Sequence, residues 1–341
     1  MNKKFIAPTV VIVAIVAAVL LYDAPKMEYK KIHGAIQGTT YNITYEYSVK
    51  RDLTSEIEKV LSDFDLSLST YLPHSVISRI NRNEPEAKAD DRFIKVFNAA
   101  REVYELTGGV FDITVAPLVN AWGFGFTPGA EVDSAMLDSL LQFVGMEKVR
   151  LDGRNVIKED PRIMFDANAI AQGYSVDVVA EFLDKKRVEN YLVEIGGELK
   201  CKGKNAKGED WKIGIDRPEE GNFVAGTNLQ AVVAIKTKSL ATSGNYRKFY
   251  EKDGIKYAHT INPKTGYPVL SRLLSATVLA DECITADAFA TAFMVMGLEQ
   301  SIQYLETQDE IEAYLVYNNE EGNYKVYATQ GMKDYIIEER K

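Results

Sequence analysis

The sequence predicts an α+β fold, with mixed sheets and helices in one large domain behind an apolar amino-terminal segment. Three observations lead there. Runs with period-two alternation and runs with helical periodicity are interleaved along the chain rather than segregated. Of 341 residues, 46 % are hydrophobic and 26 % charged, the balance of a globular protein with a real core. No internal repeat, low-complexity tract or long linker interrupts residues 35–330, so one domain is expected rather than two separable ones.

At the amino end, Lys3 and Lys4 precede an apolar run from Phe5 to Leu21, a basic region followed by a hydrophobic one. As a helix this run spans about 25 Å, slightly short of a ~30 Å hydrocarbon core. Its length therefore fits a cleaved signal or an anchor. Leu20-Leu21-Tyr22-Asp23 offers no small-x-small cleavage site, which favours an anchor, and no cysteine follows, which excludes a lipoprotein. Residues 1–22 are read as this signal or anchor segment, 23–34 as a charged linker, and 35–341 as the domain. Lys3 and Lys4 would stay inside, although Lys26, Lys30 and Lys31 weigh the other way. The expected location is the cytoplasmic (inner) membrane, with the domain on the periplasmic or extracytoplasmic side.

The elements follow in order. Gly38–Tyr47 alternates and is rich in β-branched and aromatic residues, a strand. Apolar residues at 53, 57, 60, 61 and 64 make Leu53–Leu66 an amphipathic helix. Asp91–Leu106 is a second, stopped by Gly108-Gly109, after which the chain is strand-like. Ala171–Lys185 is a third helix, and Asn190–Ile195 the strand after it. Strand-like runs then alternate with Gly/Pro/Asn turns at Trp211–Ile215, Leu229–Ile235, Lys256–Ile261 and Leu273–Ala280. Ala286–Met296 is a hydrophobic helix, and Leu298–Glu306 and Ile311–Tyr317 close the domain.

The net charge is −9 and no Lys/Arg block exists, which argues against a nucleic-acid partner. Cys201 and Cys283 form no disulfide framework and no Cys–His metal spacing. They read as buried free thiols, with one bridge left open for an exported protein.

Chemistry is carried by scattered polar residues. In Thr285-Ala-Asp-Ala-Phe-Ala-Thr291, Asp287 and Thr291 are four apart and share a helix face. Among such apolar neighbours an Asp must be paired, hydrogen-bonded or metal-bound. A carboxylate and a hydroxyl suit Mg²⁺, which takes oxygen ligands and often substrate phosphates. The competing reading is that Asp287 caps its own helix. In Phe165-Asp-Ala-Asn-Ala-Ile-Ala-Gln-Gly173, Asp166 or Asn168 could cap the next helix. Alternatively the small residues expose backbone to a ligand, with the carbonyl of Ala169 available to a metal. Asp112 stands between Phe111 and Ile113, and Trp122-Gly-Phe-Gly125 fits an aromatic wall or a packed loop equally. His259 precedes the turn Asn262-Pro-Lys-Thr-Gly266 and is a structural hydrogen-bonder or a base. Ser243 lacks a Gly-x-Ser-x-Gly elbow, which rejects a serine hydrolase. Neither a Walker loop nor a Gly-x-Gly-x-x-Gly after a strand is present. Together the set suits a site that holds magnesium against nucleotide phosphates and cuts or transfers beside it.

Seven ordered motifs resemble the ApbE-type flavin transferases, the FAD:protein FMN transferases. They are Ser69-Thr-Tyr71 with Ser75 to Asn81, Gly109 to Gly125, Asp166 to Asp177, Ile195-Gly-Gly-Glu-Leu199, Thr242-Ser-Gly-Asn-Tyr-Arg247, His259 to Gly266, and Ala286 to Thr291. The resemblance covers roughly residues 35–330. It implies an ApbE-like, T-fold-related catalytic domain that cleaves FAD, its substrate, and joins FMN by a phosphoester to a Thr or Ser of an acceptor flavoprotein subunit, releasing AMP. It implies Mg²⁺ held by Asp287, Thr291 and the carbonyl of Ala169. It implies an FAD pocket lined by Gln37, Tyr71, Val110, Phe111, Asp112, Asp166, Gln172 and Ile261. His259 would be the base for the acceptor hydroxyl, a task its ordinary pKa near 6.5 suits. Three positions depart from the pattern: Ala290 stands where some relatives carry a second Asp, Gln172 where they often carry Lys, and Gln37 where they often carry Met. Two alternatives use the same residues: an FAD pyrophosphatase giving FMN and AMP, and a membrane-tethered flavin carrier without turnover.

Overall fold

The structure, a computed structural model, describes residues 26–125, 132–219, 222, 226–245, 249–252, 255–258 and 260–340. The apolar amino-terminal segment and His259 lie outside the described residues. No helix among the described residues is long and apolar enough to cross a membrane.

Fifteen strands and nine α-helices are present among the described residues. The strands are β1 (Met27–Ile36), β2 (Thr39–Ser48), β3 (Val149–Asp152), β4 (Asn155–Lys158), β5 (Tyr191–Ile195), β6 (Glu198–Lys202), β7 (Trp211–Asp216), β8 (Leu229–Ile235), β9 (Lys238–Gly244), β10 (Phe249–Lys252), β11 (Ile255–Ala258), β12 (Leu273–Ala280), β13 (Glu312–Asn318), β14 (Tyr324–Ala328) and β15 (Ile336–Glu339). The helices are α1 (Thr54–Leu68), α2 (Val76–Asn81), α3 (Asp91–Leu106), α4 (Ala116–Ala121), α5 (Ser134–Leu141), α6 (Ala171–Lys185), α7 (Cys283–Met296), α8 (Leu298–Leu305) and α9 (Gln330–Tyr335). The main sheet has eight antiparallel strands in the order β1-β2-β5-β6-β9-β12-β13-β14. A smaller sheet has the order β15-β8-β7, and β3-β4 and β10-β11 are two-stranded ribbons.

Alternation along the strands builds the layers, because successive side chains leave a strand on opposite faces. On β12 and β13, Ala276, Val278, Ala280, Ala313 and Leu315 join a core with α7 and α3. Leu279, Tyr314 and Val316 point the other way, onto Ile213 of β7 and Val233 of β8. Helices therefore cover one face of the main sheet and the small sheet covers the other. Helix α7 is buried on nearly every side, as a helix apolar all round must be. Helix α1 presents Ile57, Leu61 and Phe64 at helical spacing, and α3 starts where the Asp90 side chain accepts from Phe93 N–H at 2.9 Å.

The structure corrects three sequence expectations. The stretch 23–34, read as linker, is strand from Met27 on, paired with β2 from Met27↔Ser48 to Ile36↔Thr39. Its charges hid it because β1 is an edge strand that keeps one face wet, while Ile32 and Ile36 pack inward. The strand-like run after Gly109 is a turn leading into α4, because Asp112 Oδ1 accepts from both Thr114 N–H (2.7 Å) and Thr114 Oγ1 (2.6 Å). Asp287 does not cap its own helix: α7 begins at Cys283, a full turn earlier.

Candidate active site

One cavity of about 1620 Å³ opens where the first turns of α6 and α7 meet the hairpin turns of the main sheet. That exceeds the roughly 300–1,000 Å³ typical of small-ligand sites, leaving room for a dinucleotide and part of a second reactant. Gln37, Tyr71, Val110, Phe111, Asp112, Asp166, Ala169, Gln172, Ile261, Asp287 and Thr291 all line it. The fold thus gathers every described residue of the expected site around one space.

Each side chain is placed by a local device. Gln37 sits in the two-residue β1–β2 turn with φ of 52°. Its amide donates to Asp65 Oδ1 at 3.1 Å, and its carbonyl oxygen accepts from Ser175 Oγ at 3.3 Å. Tyr71 is 67 % exposed at the rim. Asp166 Oδ1 accepts from Asn168 N–H at 2.8 Å, closing a turn rather than capping α6, and burial of its carboxyl raises its pKa. Trp122 does both things its motif allowed. It lines the cavity, and its Nε1 donates to the Gly266 carbonyl at 2.7 Å, tying two distant motifs together.

Asp287 is 5 % exposed. Its Oδ2 accepts from Gly173 N–H of α6 at 2.8 Å. No donor among the described residues engages Oδ1. Thr291 Oγ1 lies 3.1 Å from Ser243 Oγ of β9. Glu198 opens β6 behind the two-residue turn Gly196-Gly197, and Gln172 Nε2 donates to its Oε2 at 2.6 Å and to the Ile195 carbonyl at 3.1 Å. Gly196 favours glycine because its φ of 66° is left-handed, and an added Cβ would also displace that amide. Burial pushes Asp287 up to about 7. Burial, then the charge of Asp287, pushes Glu198 well above the usual carboxylate range.

These groups fit a hard divalent cation. Among the described lining residues the charged side chains are Asp65, Asp112, Asp166, Glu194, Glu198, Asp216 and Asp287, and no Lys, Arg or His joins them. An anionic phosphate entering this cavity would meet no protein cation from those residues. The Asp287 carboxylate, the Thr291 hydroxyl and the Ala169 carbonyl are oxygen donors of the kind Mg²⁺ accepts beside phosphates. No group of three or more His, Cys, Asp or Glu able to hold a metal occurs among the described residues. A cation that shares its shell with substrate oxygens does not require one.

Glu198 lies inside a sequence motif that assigned it no role, whereas Gln172 is expected in the FAD pocket. Gln172 lines the cavity, and its amide also holds Glu198. The signal was present in Gly196-Gly197, whose glycines permit a two-residue hairpin that returns the next residue to the same rim. Ala290 is fully buried in the core, so that position adds no donor to the cavity. Asp112 lines the cavity, yet Thr114 and the Met146 N–H (3.2 Å) occupy both its oxygens.

Burial raises Asp112 to about 6 against the pull of those hydrogen bonds. Its folded pKa exceeds its unfolded one, so its stabilising contribution is present below about pH 4 and lost as pH rises through about 6. Relative to Asp112→Asn, the wild-type chain should therefore lose on the order of 3 kcal/mol between those limits. Urea midpoints of the two proteins at pH 4 and 7.5 check this. A difference that stays constant with pH would refute it.

The fold and cavity define an α+β domain with one large cavity walled by oxygen donors. The model of the ApbE family matches residues 37–315, and the chain belongs to that family. It is 36 % identical over 337 residues to an FAD:protein FMN transferase of Vibrio cholerae, covering 95 % of this chain and 98 % of that one. It is 36 % identical over 325 residues to one of Haemophilus influenzae, covering 90 % and 92 %. Its structure is similar to that of the flavin transferase ApbE from Vibrio cholerae, with a TM-score of 0.81 and 34 % identity over 91 % of this chain and all of that one. The apo flavinyl transferase ApbE of Pseudomonas stutzeri gives 0.80 and 31 % over 92 % and 98 %.

Proposed function

We infer that this chain is an FAD:protein FMN transferase. The observation that carries the reading is full-length likeness to relatives of that name, joined to a cavity lined by carboxylates and wide enough for two reactants. The acceptor hydroxyl oxygen attacks the FMN-side phosphorus of FAD. The bond to the AMP phosphate breaks, AMP leaves, and FMN remains on the protein as a phosphoester.

The chain's residues divide the work. Val110, Phe111 and Ile261 offer apolar surface for the flavin ring, and Tyr71 closes its rim. Asp166 holds its turn against the nucleotide. His259 takes the hydroxyl proton, and its neighbours Thr260 and Ile261 both line the cavity. Asp287, Thr291 and the Ala169 carbonyl would hold Mg²⁺, with Glu198 nearby. Held there, the cation would supply positive charge to offset the pyrophosphate oxygens. Residues 1–22 anchor the chain in the cytoplasmic membrane, placing the catalytic domain, from Met27 on, outside it beside a membrane flavoprotein subunit that accepts FMN.

The test is mass spectrometry of an acceptor protein after incubation with the enzyme, FAD and Mg²⁺. The expected result is a gain of one FMN. His259→Ala should slow that gain about 10²–10⁴-fold, the usual value of a positioned base. AMP and FMN released at equal rates with and without acceptor would replace this reading with a pyrophosphatase.

A further inference from the structure

The amino ends of α6 and α7 cap each other. Gly173 N–H of α6 donates to Asp287 Oδ2 of α7 at 2.8 Å, and Ile284 N–H of α7 donates to Asp177 Oδ2 of α6 at 2.8 Å. The first N–H groups of any helix lack internal partners. The usual remedy is a side chain at the helix's own cap position, but neither Ile170 nor Glu282 makes one here. Each helix draws its acceptor from the other.

The two arms differ. In the first, Asp287 lines the cavity. In the second, Asp177, Ile284 and Lys200 are absent from the described lining. Asp177 is 5 % exposed, and its Oδ1 accepts from Lys200 Nζ at 2.8 Å. Lys200 stands on β6, two residues beyond Glu198, which does line the cavity. Burying a carboxylate–ammonium pair costs desolvation that its attraction often fails to return. A local cap would serve stability more simply. What this arrangement adds is register, since it fixes the first turn of α7 to both α6 and β6.

We propose that Asp177, pinned by Lys200, is a positioning residue that sets α7 so that Asp287 and Thr291 face the cation. Counted from Ile284, those two stand about one and two helical turns further on. Asp177 does not line the described cavity and acts only through α7. The inference rests on the cation reading of Asp287 and Thr291 given above.

The test uses the full chain in detergent and Mn²⁺ alone, a hard cation whose binding is followed by electron paramagnetic resonance. Asp177→Asn keeps an oxygen for the Ile284 N–H but loses the charge that Lys200 holds. It should weaken Mn²⁺ binding about 10–100-fold, as loss of a group that orients a ligand does, while FAD KM at saturating cation changes by less than about twofold. Excess Mg²⁺ should then restore kcat. Lys200→Met, the second variant, should shift Mn²⁺ binding in the same direction. Folded Asp177→Asn and Lys200→Met proteins that bind Mn²⁺ as the wild type does, beside a weakened Asp287→Ala control, overturn the positioning role and leave the cation reading intact. Unchanged binding in Asp287→Ala overturns the cation reading and the positioning role together.

Discussion

Asp287→Ala is expected to abolish measurable FMN transfer, with a loss of about a thousandfold or more. The change removes the one carboxylate in α7 that faces the cavity, from a wall with no described cationic side chain. If its contribution to holding the charge-neutralising cation is about 4 kcal/mol, each 1.36 kcal/mol accounts for one factor of ten. Alanine also deprives Gly173 N–H of its acceptor, at a cost of roughly 1 kcal/mol in stability. Asp287→Asn separates the two effects, since its amide oxygen still accepts from Gly173 but carries no charge. In chelator the Asn variant should unfold no earlier than the wild type, because burial that raises Asp287 to about 7 penalises the wild-type carboxylate as pH rises, while its transfer rate should match that of Asp287→Ala. Chelation of the wild-type enzyme should reproduce the loss, reversibly on adding Mg²⁺. Transfer by Asp287→Asn within tenfold of wild type would end the assignment.

Gly173→Ala should give the largest stability loss from the smallest change. Gly173 is in the first turn of α6, where alanine would ordinarily gain up to about 1 kcal/mol in helix propensity. Here an added Cβ would lie 2.6 Å from Asp287 Cβ and closer still to the Cys283 carbonyl oxygen. A backbone oxygen cannot rotate aside, so the helices must part. Overpacking of this kind costs about 1–3 kcal/mol, and it reverses the sign that propensity alone would give. Parting the helices also lengthens the Gly173–Asp287 bond, so transfer should fall along with the unfolding temperature. Denaturant unfolding and the transfer assay on one preparation check both. A variant as stable as the parent would show that the helices have slack at this crossing.

Much of the fold was legible where an element obeys a strict period. Ala171–Lys185, Leu229–Ile235 and Leu273–Ala280 have the bounds that periodicity predicted. The short pieces were not legible. Strands β3 and β4 have four residues each, too few to display a period. Strand β1 was masked by the charges of its wet face. The candidate site was legible as a set of polar residues in unusual company, but not as geometry. Asp287 was recognisable as an Asp that needed a partner; that its partner is a backbone N–H of another helix, 114 residues away, is a tertiary fact with no local signature. Gln172 read as a missing charge, whereas space shows it gripping Glu198. His259 rests on sequence resemblance and on the neighbours that flank it.

The exchange of caps between α6 and α7 bears on the order in which the molecule forms. Its two bonds join residues 114 and 107 positions apart. Closing loops of that size is entropically costly and tends to come late in folding. Neither helix end is complete until the other has docked, so the two are expected to consolidate in one cooperative step. During synthesis, a chain lacking α7 has neither Asp287 nor the crossing that holds it. The nucleotide site therefore matures only once nearly the whole polypeptide is present, so no shortened intermediate can consume FAD prematurely.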